Sequence, residues 1–493
     1  MANSTDSLPL AARLAGMLQA PRELWIVYLL KLVAVAGYGV LNSTLVLWLS
    51  ADFGWSDERA AAVVLAWSLS MTVGTVLVGS LTDALGLKRT FFIGVVLCVL
   101  ARATMVFAET PVIAIGAGLV PLALGEAMAT PVLVAAVRRY SSTSQRSFAF
   151  SLFYAMMNVG FLVAGFSFDW VREGLGEAGR LSLPLVGAEI GTYRALLLLS
   201  LGIEVLLLPL VWFLREGVEA TDEGVVVAPA QPAAAQATSG GPLGSAWAVV
   251  RKSARDTAAL FSSLVRQDGF WRLIAFLLMI AFLKLIFMQM YYVYPKFGIR
   301  ELGPGAPVGR LWAINSILII ALVPVVGLLT SKYSAYRMVV VGGIVSAASV
   351  FVMALPVEWF QGLADGWFGR FVAHSYLGLE GPVHPYYPMI ALFVVGLSIG
   401  EALYSPRVYE YAAAIAPKGQ ETSYAALSYI PFLLAKLLIG AFSGLLLSRY
   451  CPAEGPRDSG TMWLFVALTA SIAPVGLLLL ARRIRVKEAG RAD

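Results

Sequence analysis

Long apolar runs, each about as long as a bilayer crossing, recur along the whole chain. A helix rises 1.5 Å per residue, so about 20 mostly apolar residues cross the hydrocarbon core of a membrane. Such runs form two groups of six, near 24–50, 59–82, 88–108, 111–137, 147–170 and 193–214, and then near 269–294, 308–331, 336–356, 386–414, 421–447 and 461–482. The pattern predicts an all-α polytopic membrane protein with twelve transmembrane helices in two six-helix halves.

The segment between the two groups has a different composition. Residues 216–244 are rich in Ala, Gly, Pro and Gln, which is typical of a flexible linker. Residues 245–267 place apolar and basic side chains at helical spacing. This spacing predicts an amphipathic helix, lying either on the inner leaflet or on the cytoplasmic loops. The predicted organisation is an N-terminal half at 1–215, a cytoplasmic linker at 216–267 and a C-terminal half at 268–493.

Composition excludes several classes of protein. Hydrophobic residues occupy 59% of the 493 positions and charged residues only 13%, whereas soluble domains carry about 25% charged residues. A soluble globular protein, a disordered chain and a nucleic-acid binder are excluded. Basic residues gather in the loops of one side, at Lys88, Arg89, Arg138, Arg139, Arg146, Arg482, Arg483, Arg485 and Lys487. The positive-inside rule assigns that side to the cytoplasm, so we expect both termini on the inner face of the cell membrane.

An internal repeat links the two groups of spans. Residues 125–131 in the fourth span (GEAMATP) recur at 400–406 in the tenth span (GEALYSP). A second alignment pairs residues of the second and third spans with residues of the eighth and ninth, and it places Gly94 opposite Gly342. The repeat indicates that a six-span unit was duplicated in parallel, an arrangement found in transporters that work by alternating access.

The loop after the second span carries a recognisable signature. Residues 79–89 read GSLTDALGLKR and resemble the G-x-L-x-D-x-x-G-x-[RK]-[RK] motif of the major facilitator superfamily. In that superfamily the motif is a conformational latch, and its glycines permit a tight turn. The resemblance implies gating roles for Gly79, Asp83, Gly86, Lys88 and Arg89.

A finer resemblance concerns the fifth and tenth spans. Residues 153–160 (FYAMMNVG) are similar to the F-Y-x-x-x-N-x-G segment of the proton-coupled oligopeptide transporters, and 400–406 resembles their G-E-x-x-x-S-P segment. In that family the tenth-span glutamate binds the amino terminus of the substrate, which implies this role for Glu401. The first span departs from the family, because Val33, Ala34 and their neighbours replace its glutamate–arginine motif tied to proton coupling.

Several ionisable residues lie at membrane depth. Burying an ionised side chain in the membrane costs roughly a few kcal/mol or more, so such residues usually face a cavity or pair with one another. They are Lys31, Arg102, Glu126, Glu204, Lys284, Glu401 and Lys436. We expect Arg102 and Glu204 to form a structural pair within one half.

The remaining five are candidates for substrate or proton binding. In the major facilitator fold the first and fourth helices of each half line the cavity, which implies that Lys31, Glu126, Lys284 and Glu401 lie near the pathway, bordered by Lys436. Asn158 could orient a substrate or bond across helices, and Tyr154 could form a cavity wall. The alternative is that these charges form salt bridges between the halves and only stabilise one conformation.

The charges suggest a function. A pocket with both signs favours a zwitterionic or acidic solute, and buried carboxylates can carry protons. The leading hypothesis is a monomeric secondary transporter for a small polar solute, first of all a peptide or amino acid, coupled to protons. An organic-anion exchanger or an exporter of hydrophobic compounds stays open, as does a receptor or scaffold that transports nothing. The sequence shows no Walker motif, zinc cluster or Ser/His/Asp set, so we expect no enzyme, cofactor or metal.

Overall fold

The computed structural model of the chain describes residues 20–142, 146–184, 187–221, 223–227, 251, 255, 265–330, 333–415 and 430–485. The amphipathic helix predicted at 245–267, and most of the linker before it, lie outside the described residues. In several helices the backbone is described while some side chains are not.

The N-terminal part of the chain is helical with two short hairpins. Its helices are α1 (Arg22–Phe53), α2 (Asp57–Leu85), α3 (Leu87–Phe107), α4 (Pro111–Arg139), α5 (Arg146–Leu175) and α6 (Thr192–Trp212). Antiparallel strands β1 (Arg180–Leu183) and β2 (Ala188–Gly191) follow α5, and β3 (Val218–Thr221) and β4 (Gly224–Val227) follow α6. The prediction of an all-α protein missed these hairpins, because four-residue strands are too short to show a clear alternating pattern.

The C-terminal part is also helical. Its helices are α7 (Asp268–Tyr292), α8 (Tyr294–Leu302), α9 (Val308–Leu329), α10 (Ala335–Val352), α11 (Tyr386–Ile415), α12 (Ile430–Tyr450) and α13 (Ser459–Ile484). Short helical turns lie between α10 and α11. Local signals end and start these helices: Gly303 has a φ of 93° after α8, and the Ser334 and Asp458 side chains cap α10 and α13.

Ten helices in the described part of the chain are long and apolar enough to cross a membrane. They are α1, α3, α4, α5, α6, α7, α9, α10, α11 and α13. The other two predicted spans coincide with α2 and α12, whose side chains are described only in part. The chain is an integral membrane protein, and the number twelve stays a prediction.

The chain folds into two compact units. Unit 1 combines Met1–Leu41, Trp67–Ala164 and Arg194–Leu260, and its apolar core is built by α1, α3, α4, α5 and α6. Unit 2 combines Asn42–Ala66, Gly165–Tyr193 and Phe261–Asp493, and its core is built by α7, α10, α11 and α13. The division into halves at 1–215 and 268–493 remains a prediction.

The repeated sequence segments make the same kind of helix contact in each unit. In unit 1, a Cβ added to Gly125 on α4 would lie 2.6 Å from the Sγ of Cys98 and 2.8 Å from the carbonyl oxygen of Gly94 on α3. In unit 2, a Cβ added to Gly342 on α10 would lie 2.6 Å from the carbonyl oxygen of Gly400 on α11. Close approach of helices through small residues is typical of membrane proteins. The residues aligned by the repeat are therefore the residues that touch.

We expect Gly125→Ala to lower the thermal midpoint of the detergent-purified protein by several degrees, because the added methyl group has to push α3 and α4 apart. Gly202→Ala is the matched control. It also places a methyl group on a helix, but no atom lies within 4 Å of it, so its midpoint should stay equal or rise slightly. Equal midpoints for the two variants would contradict the close contact.

Candidate functional site

Unit 1 brings together four ionisable side chains from four helices, which we call the Arg102 cluster: Lys31 on α1, Arg102 on α3, Glu126 on α4 and Glu204 on α6. Lys31, Arg102 and Glu204 are buried, and the side chain of Glu126 is 11% exposed. Arg102 is fully buried, and its Nη2 donates to Oε1 of Glu126 at 2.6 Å. Its Nη1 forms an ion pair with Glu204. The predicted pair of Arg102 and Glu204 is confirmed. Glu126, expected near the pathway, shares the same guanidinium.

Lys31 completes the cluster. Its side chain is buried and attracts Glu126 electrostatically, while its Nζ lies 4.9 Å from the centre of the Phe153 ring. A small cavity of about 10 Å³ is lined by both glutamates, Glu126 and Glu204. A cavity of this size accommodates about one water molecule. The cluster therefore combines two cations and two carboxylates, with a small cavity beside the carboxylates.

The two polar candidates on α5 lie one helical turn apart. Asn158 is buried, and its Nδ2 donates to the backbone oxygen of Tyr154 at 3.0 Å. Tyr154 is half-buried on the same face. Within the described part of the chain, Asn158 therefore bonds inside its own helix.

In unit 2 the central acidic residue is Glu401 on α11. It is 8% exposed, and Asn315 on α9 donates from its Nδ2 to Oε2 of Glu401 at 3.0 Å. The same amide nitrogen donates to the hydroxyl of Ser398 at 3.0 Å, and Ser398 in turn donates to the backbone oxygen of Val394. The carboxylate is thus held in a set orientation by side chains from two helices.

Lys284 on α7 lies near this carboxylate. Its Nζ is 5.1 Å from the ring centres of both Phe287 and Tyr404, and it is attracted electrostatically by Glu401. Rings at this distance stabilise a cation through their negative faces. Unit 2 therefore places one buried positive and one buried negative side chain within electrostatic reach of each other.

Two further polar groups of unit 2 lie on the neighbouring helices. Lys436 on α12 is buried. Gln289 on α7 accepts a hydrogen bond from the hydroxyl of Ser443 on α12 at 2.9 Å. Gln289 thus bonds across helices, the arrangement that intramembrane amides more often adopt.

The signature between α2 and α3 forms a tight turn. Gly86 has a φ of 83°, a left-handed conformation that favours glycine, and its amide donates to the Thr82 carbonyl at 2.8 Å. Lys88 donates to the backbone oxygen of Trp212 at 2.9 Å and so ties α3 to the end of α6. Arg89 makes an exposed ion pair with Glu216 at 3.8 Å. Gly79 and Asp83 lie on α2, and the side-chain environment at both lies outside the described residues.

A second group of ion pairs in unit 2 lies away from these helix centres. Asp57, the first residue of α2, is bound by Lys296 at 2.5 Å and by both Nη atoms of Arg300 at 2.8 and 3.2 Å. Burial raises the pKa of Asp57, but the hydrogen bond from Arg300 and the charge of Lys296 outweigh it. The pKa of Asp57 is therefore held below its ordinary value. This carboxylate stays ionised at neutral and mildly acidic pH.

Another carboxylate of unit 2 caps a helix. Asp169 on α5 accepts hydrogen bonds from the backbone amides of Gly309 and Arg310, at 3.0 and 2.6 Å. These amides belong to the first turn of α9, whose N–H groups have no partner within the helix. Arg172 pairs with Asp169 from the same helix and donates to the backbone oxygen of Ala306. α5 and α9 are thereby joined at this end.

Sequence reasoning missed several residues that the structure joins to the candidates. Ser398 precedes Glu401 by one helical turn, a spacing that could have indicated it. Asn315 is an isolated amide in an apolar run and could also have been flagged. No local signal links Asp57 to Lys296 and Arg300, because more than 200 residues separate them along the chain.

Ionisable side chains buried on apolar helices are typical of membrane proteins with a solute or ion pathway. The profile of the Major Facilitator Superfamily matches residues 27–369, which is more than half of the chain. The protein belongs to the Major Facilitator Superfamily. Its relatives are transporters, so the expectation of a transporter instead of an enzyme is confirmed.

One sequence relative and several solved structures point to a subgroup. Dipeptide and tripeptide permease A of Proteus mirabilis (strain HI4320) is 26% identical over 174 residues, which cover 34% of this chain and 36% of the relative. The match thus spans about a third of that relative's length.

The solved structures agree in fold. A POT family transporter in complex with 5-aminolevulinic acid has a TM-score of 0.67 at 14% identity, covering 94% of this chain and 97% of that chain. A POT family transporter in complex with a thioalcohol-conjugated peptide has a TM-score of 0.66 at 14% identity, covering 94% of this chain and 97% of that chain. A proton-dependent oligopeptide transporter has a TM-score of 0.66 at 17% identity, covering 94% of this chain and 99% of that chain. The resemblance to this subgroup, noted in the fifth and tenth spans, is confirmed.

We expect Asp57→Asn to lower stability by about 3 kcal/mol, because it leaves Lys296 and Arg300 buried without their carboxylate. The pKa of Asp57 is lower in the folded state than in the unfolded state. The ion pairs therefore stabilise the fold fully above the unfolded pKa of Asp57, and this stabilisation is lost as the pH falls through the folded pKa. The difference in thermal midpoint between wild type and variant should therefore stay constant from pH 5 to pH 7. The exposed Asp365→Asn serves as control and should show no difference. A difference that shrinks towards pH 5 would contradict the assignment.

Proposed function

We propose that the protein is a monomeric symporter of the cell membrane that moves short peptides or amino-acid-like zwitterions together with protons. It works by alternating access, with the halves 1–215 and 268–493 as the moving bodies and both termini in the cytoplasm. The observation that carries the proposal is the pair of opposite charges in unit 2, Glu401 and Lys284, each buried and each held by neighbouring side chains.

Glu401 binds the ammonium group of the substrate. Asn315 donates to Oε2 of Glu401, and Ser398 is a second acceptor for the same amide, so the carboxylate orientation is set before the substrate arrives. Preorganisation of this kind reduces the ordering cost of binding. A charge-assisted hydrogen bond from an ammonium group to such a carboxylate contributes about 1.5–3 kcal/mol.

Lys284 binds the carboxylate at the other end of the substrate. The rings of Phe287 and Tyr404 flank its Nζ and limit the positions that the charge can take. Electrostatic attraction to Glu401 keeps the two charges near each other when no substrate is present. A zwitterion replaces this internal attraction with one contact to each side chain, which disfavours solutes that carry a single charge.

The comparisons support the substrate class. The curated relative is named for dipeptides and tripeptides, and the solved relatives hold 5-aminolevulinic acid or a peptide conjugate. An ammonium group and a carboxylate at a short distance are common to amino acids and short peptides. This shared chemistry matches the two charges of unit 2.

Two groups of residues control the conformational change. The turn at Gly86, with Lys88 and Arg89 after it, acts as the latch that the superfamily signature implies, together with Gly79 and Asp83. The ion pairs of Asp57 with Lys296 and Arg300 stabilise contacts within unit 2, and the lowered pKa of Asp57 keeps this carboxylate charged through the physiological pH range.

Uptake of a radiolabelled dipeptide into proteoliposomes with an alkaline interior tests the proposal. We expect Glu401→Gln to lower kcat/KM about tenfold to a hundredfold, because the variant loses a charge-assisted hydrogen bond. Glu358→Gln removes a carboxylate from an exposed position of the same unit and should transport as the wild type does. Unchanged binding and transport in Glu401→Gln would remove Glu401 from the site.

Lys284→Gln tests the carboxylate contact with a pair of ligands. The variant should lower the affinity for a dipeptide about tenfold, but it should change the affinity for the corresponding dipeptide amide less than twofold, since the amide has no carboxylate to lose. Competition against the radiolabelled dipeptide measures both affinities. Equal losses for the two ligands would show that Lys284 acts on the fold and not on the carboxylate.

The same assays separate the alternatives. An organic-anion exchanger predicts loss of transport in Lys284→Gln with normal transport in Glu401→Gln. An exporter of hydrophobic compounds predicts flux of apolar cations or neutral solutes and none of peptides. A receptor or scaffold predicts no substrate-dependent flux in any arrangement, and this outcome would end the proposal.

A further inference from the structure

We propose that the Arg102 cluster is the proton-coupling site of the transporter, with Glu126 as the group that gains and loses the proton and Glu204 as the permanent counter-ion of Arg102. This inference rests on the proposed function, and it concerns the source of the driving force instead of the solute. The Arg102 cluster would take the role of the glutamate–arginine motif of the first span, which this sequence lacks.

The charges of the four side chains in the cluster balance one another. Arg102 is fully buried and contacts two carboxylates, Glu126 and Glu204, through different nitrogens. One guanidinium neutralises one carboxylate. The second carboxylate therefore requires another cation or a proton, and Lys31 is the cation that acts on Glu126. With both carboxylates ionised, the four side chains sum to zero.

The exposure and the partners of the two carboxylates differ, and this difference indicates which of them exchanges the proton. The side chain of Glu204 is 5% exposed and that of Glu126 is 11% exposed. Glu204 also accepts a hydrogen bond from the thiol of Cys98, which adds to its pairing with Arg102. Glu126 faces Arg102, Lys31 and Glu204, and the last of these repels it. Glu126 is therefore the more accessible of the two carboxylates, whereas Arg102 and the Cys98 thiol both stabilise the ionised form of Glu204.

Protonation of Glu126 changes the charge of the cluster and so couples proton binding to substrate binding. A proton from water binds to a carboxylate oxygen of Glu126, and no other bond forms or breaks. Arg102 keeps Glu204 as its partner, so no carboxylate is left without a cation. The charge of the cluster rises from zero to plus one, and this added positive charge strengthens the long-range electrostatic attraction of the transporter for the carboxylate that Lys284 binds. Proton and substrate therefore bind cooperatively, and release of one favours release of the other.

A small cavity lies beside both carboxylates of the cluster. Its walls include Glu126 and Glu204 together with small residues, Ala34, Gly94 and Gly125. The space of about 10 Å³ accommodates about one water molecule, and Glu126 and Glu204 are the acidic residues in a lining that is otherwise mostly apolar.

Two assays in proteoliposomes separate coupling from transport. Counterflow exchange of a dipeptide needs no gradient, whereas accumulation requires the pH gradient. We expect Glu126→Gln, which fixes the protonated charge state, to lose accumulation at least tenfold while counterflow stays measurable. Glu23→Gln is the control, because Glu23 is also fully buried in unit 1 and paired with an arginine, Arg215, but lies outside the cluster. This control should accumulate substrate.

Proton uptake on binding gives a second readout that needs no transport. Titration calorimetry of the dipeptide in two buffers of different ionisation enthalpy should show about one proton taken up by the wild type and about none by Glu126→Gln. Glu204→Gln tests the positioning residue: Arg102 then pairs with Glu126 alone, so proton uptake should move to lower pH. Glu126→Asp keeps a carboxylate and should restore accumulation.

The outcomes are distinct. Accumulation by Glu126→Gln at the wild-type level, or proton uptake that is unchanged in this variant, would overturn the proposal. Loss of counterflow together with accumulation would also overturn it, since Glu126 would then be needed for substrate passage itself. Absence of counterflow in the wild type would instead contradict the proposed function and leave no substrate to couple.

Discussion

An ionised side chain is costly wherever water is excluded, and this constraint organises the interior of the protein. Unit 1 meets it by surrounding Arg102 with two carboxylates and adding Lys31 as the second cation. Unit 2 meets it with hydrogen bonds from Asn315 to Glu401 and with aromatic rings around Lys284. The same requirement that stabilises these charges holds them in defined positions, and defined positions are what selective binding of a charged solute needs.

The two units share a type of helix contact but place different partners beside their glutamates. Gly94 and Gly125 bring α3 and α4 close together, and Gly342 and Gly400 do the same for α10 and α11. The carboxylates that follow these glycines, Glu126 and Glu401, have different partners, a guanidinium in one unit and a neutral amide in the other. A duplicated backbone contact therefore supports two different electrostatic environments.

Much of the architecture was predictable, because hydrophobicity over about 20 residues is a local property. The apolar runs identified the helices, and the repeat aligned glycines that the structure then shows in contact. Pairing of Arg102 with Glu204 was also predicted, since both lie on helices that are peripheral in the major facilitator fold. The hairpins after α5 and α6 were not, because strands of four residues carry too little pattern to be distinguished from loops.

By itself, the sequence determined that this chain lies in a membrane, which superfamily signature it carries and which charges have to be accommodated at depth. Only the tertiary structure decided how those charges are distributed: that Glu126 shares Arg102 with Glu204, that Asn315 orients Glu401, and that Asp57 is bound by two basic residues of α8. The physical reason is that burial is governed by local composition, whereas the partner of a charge depends on which helices pack together. That packing brings together residues far apart in the chain.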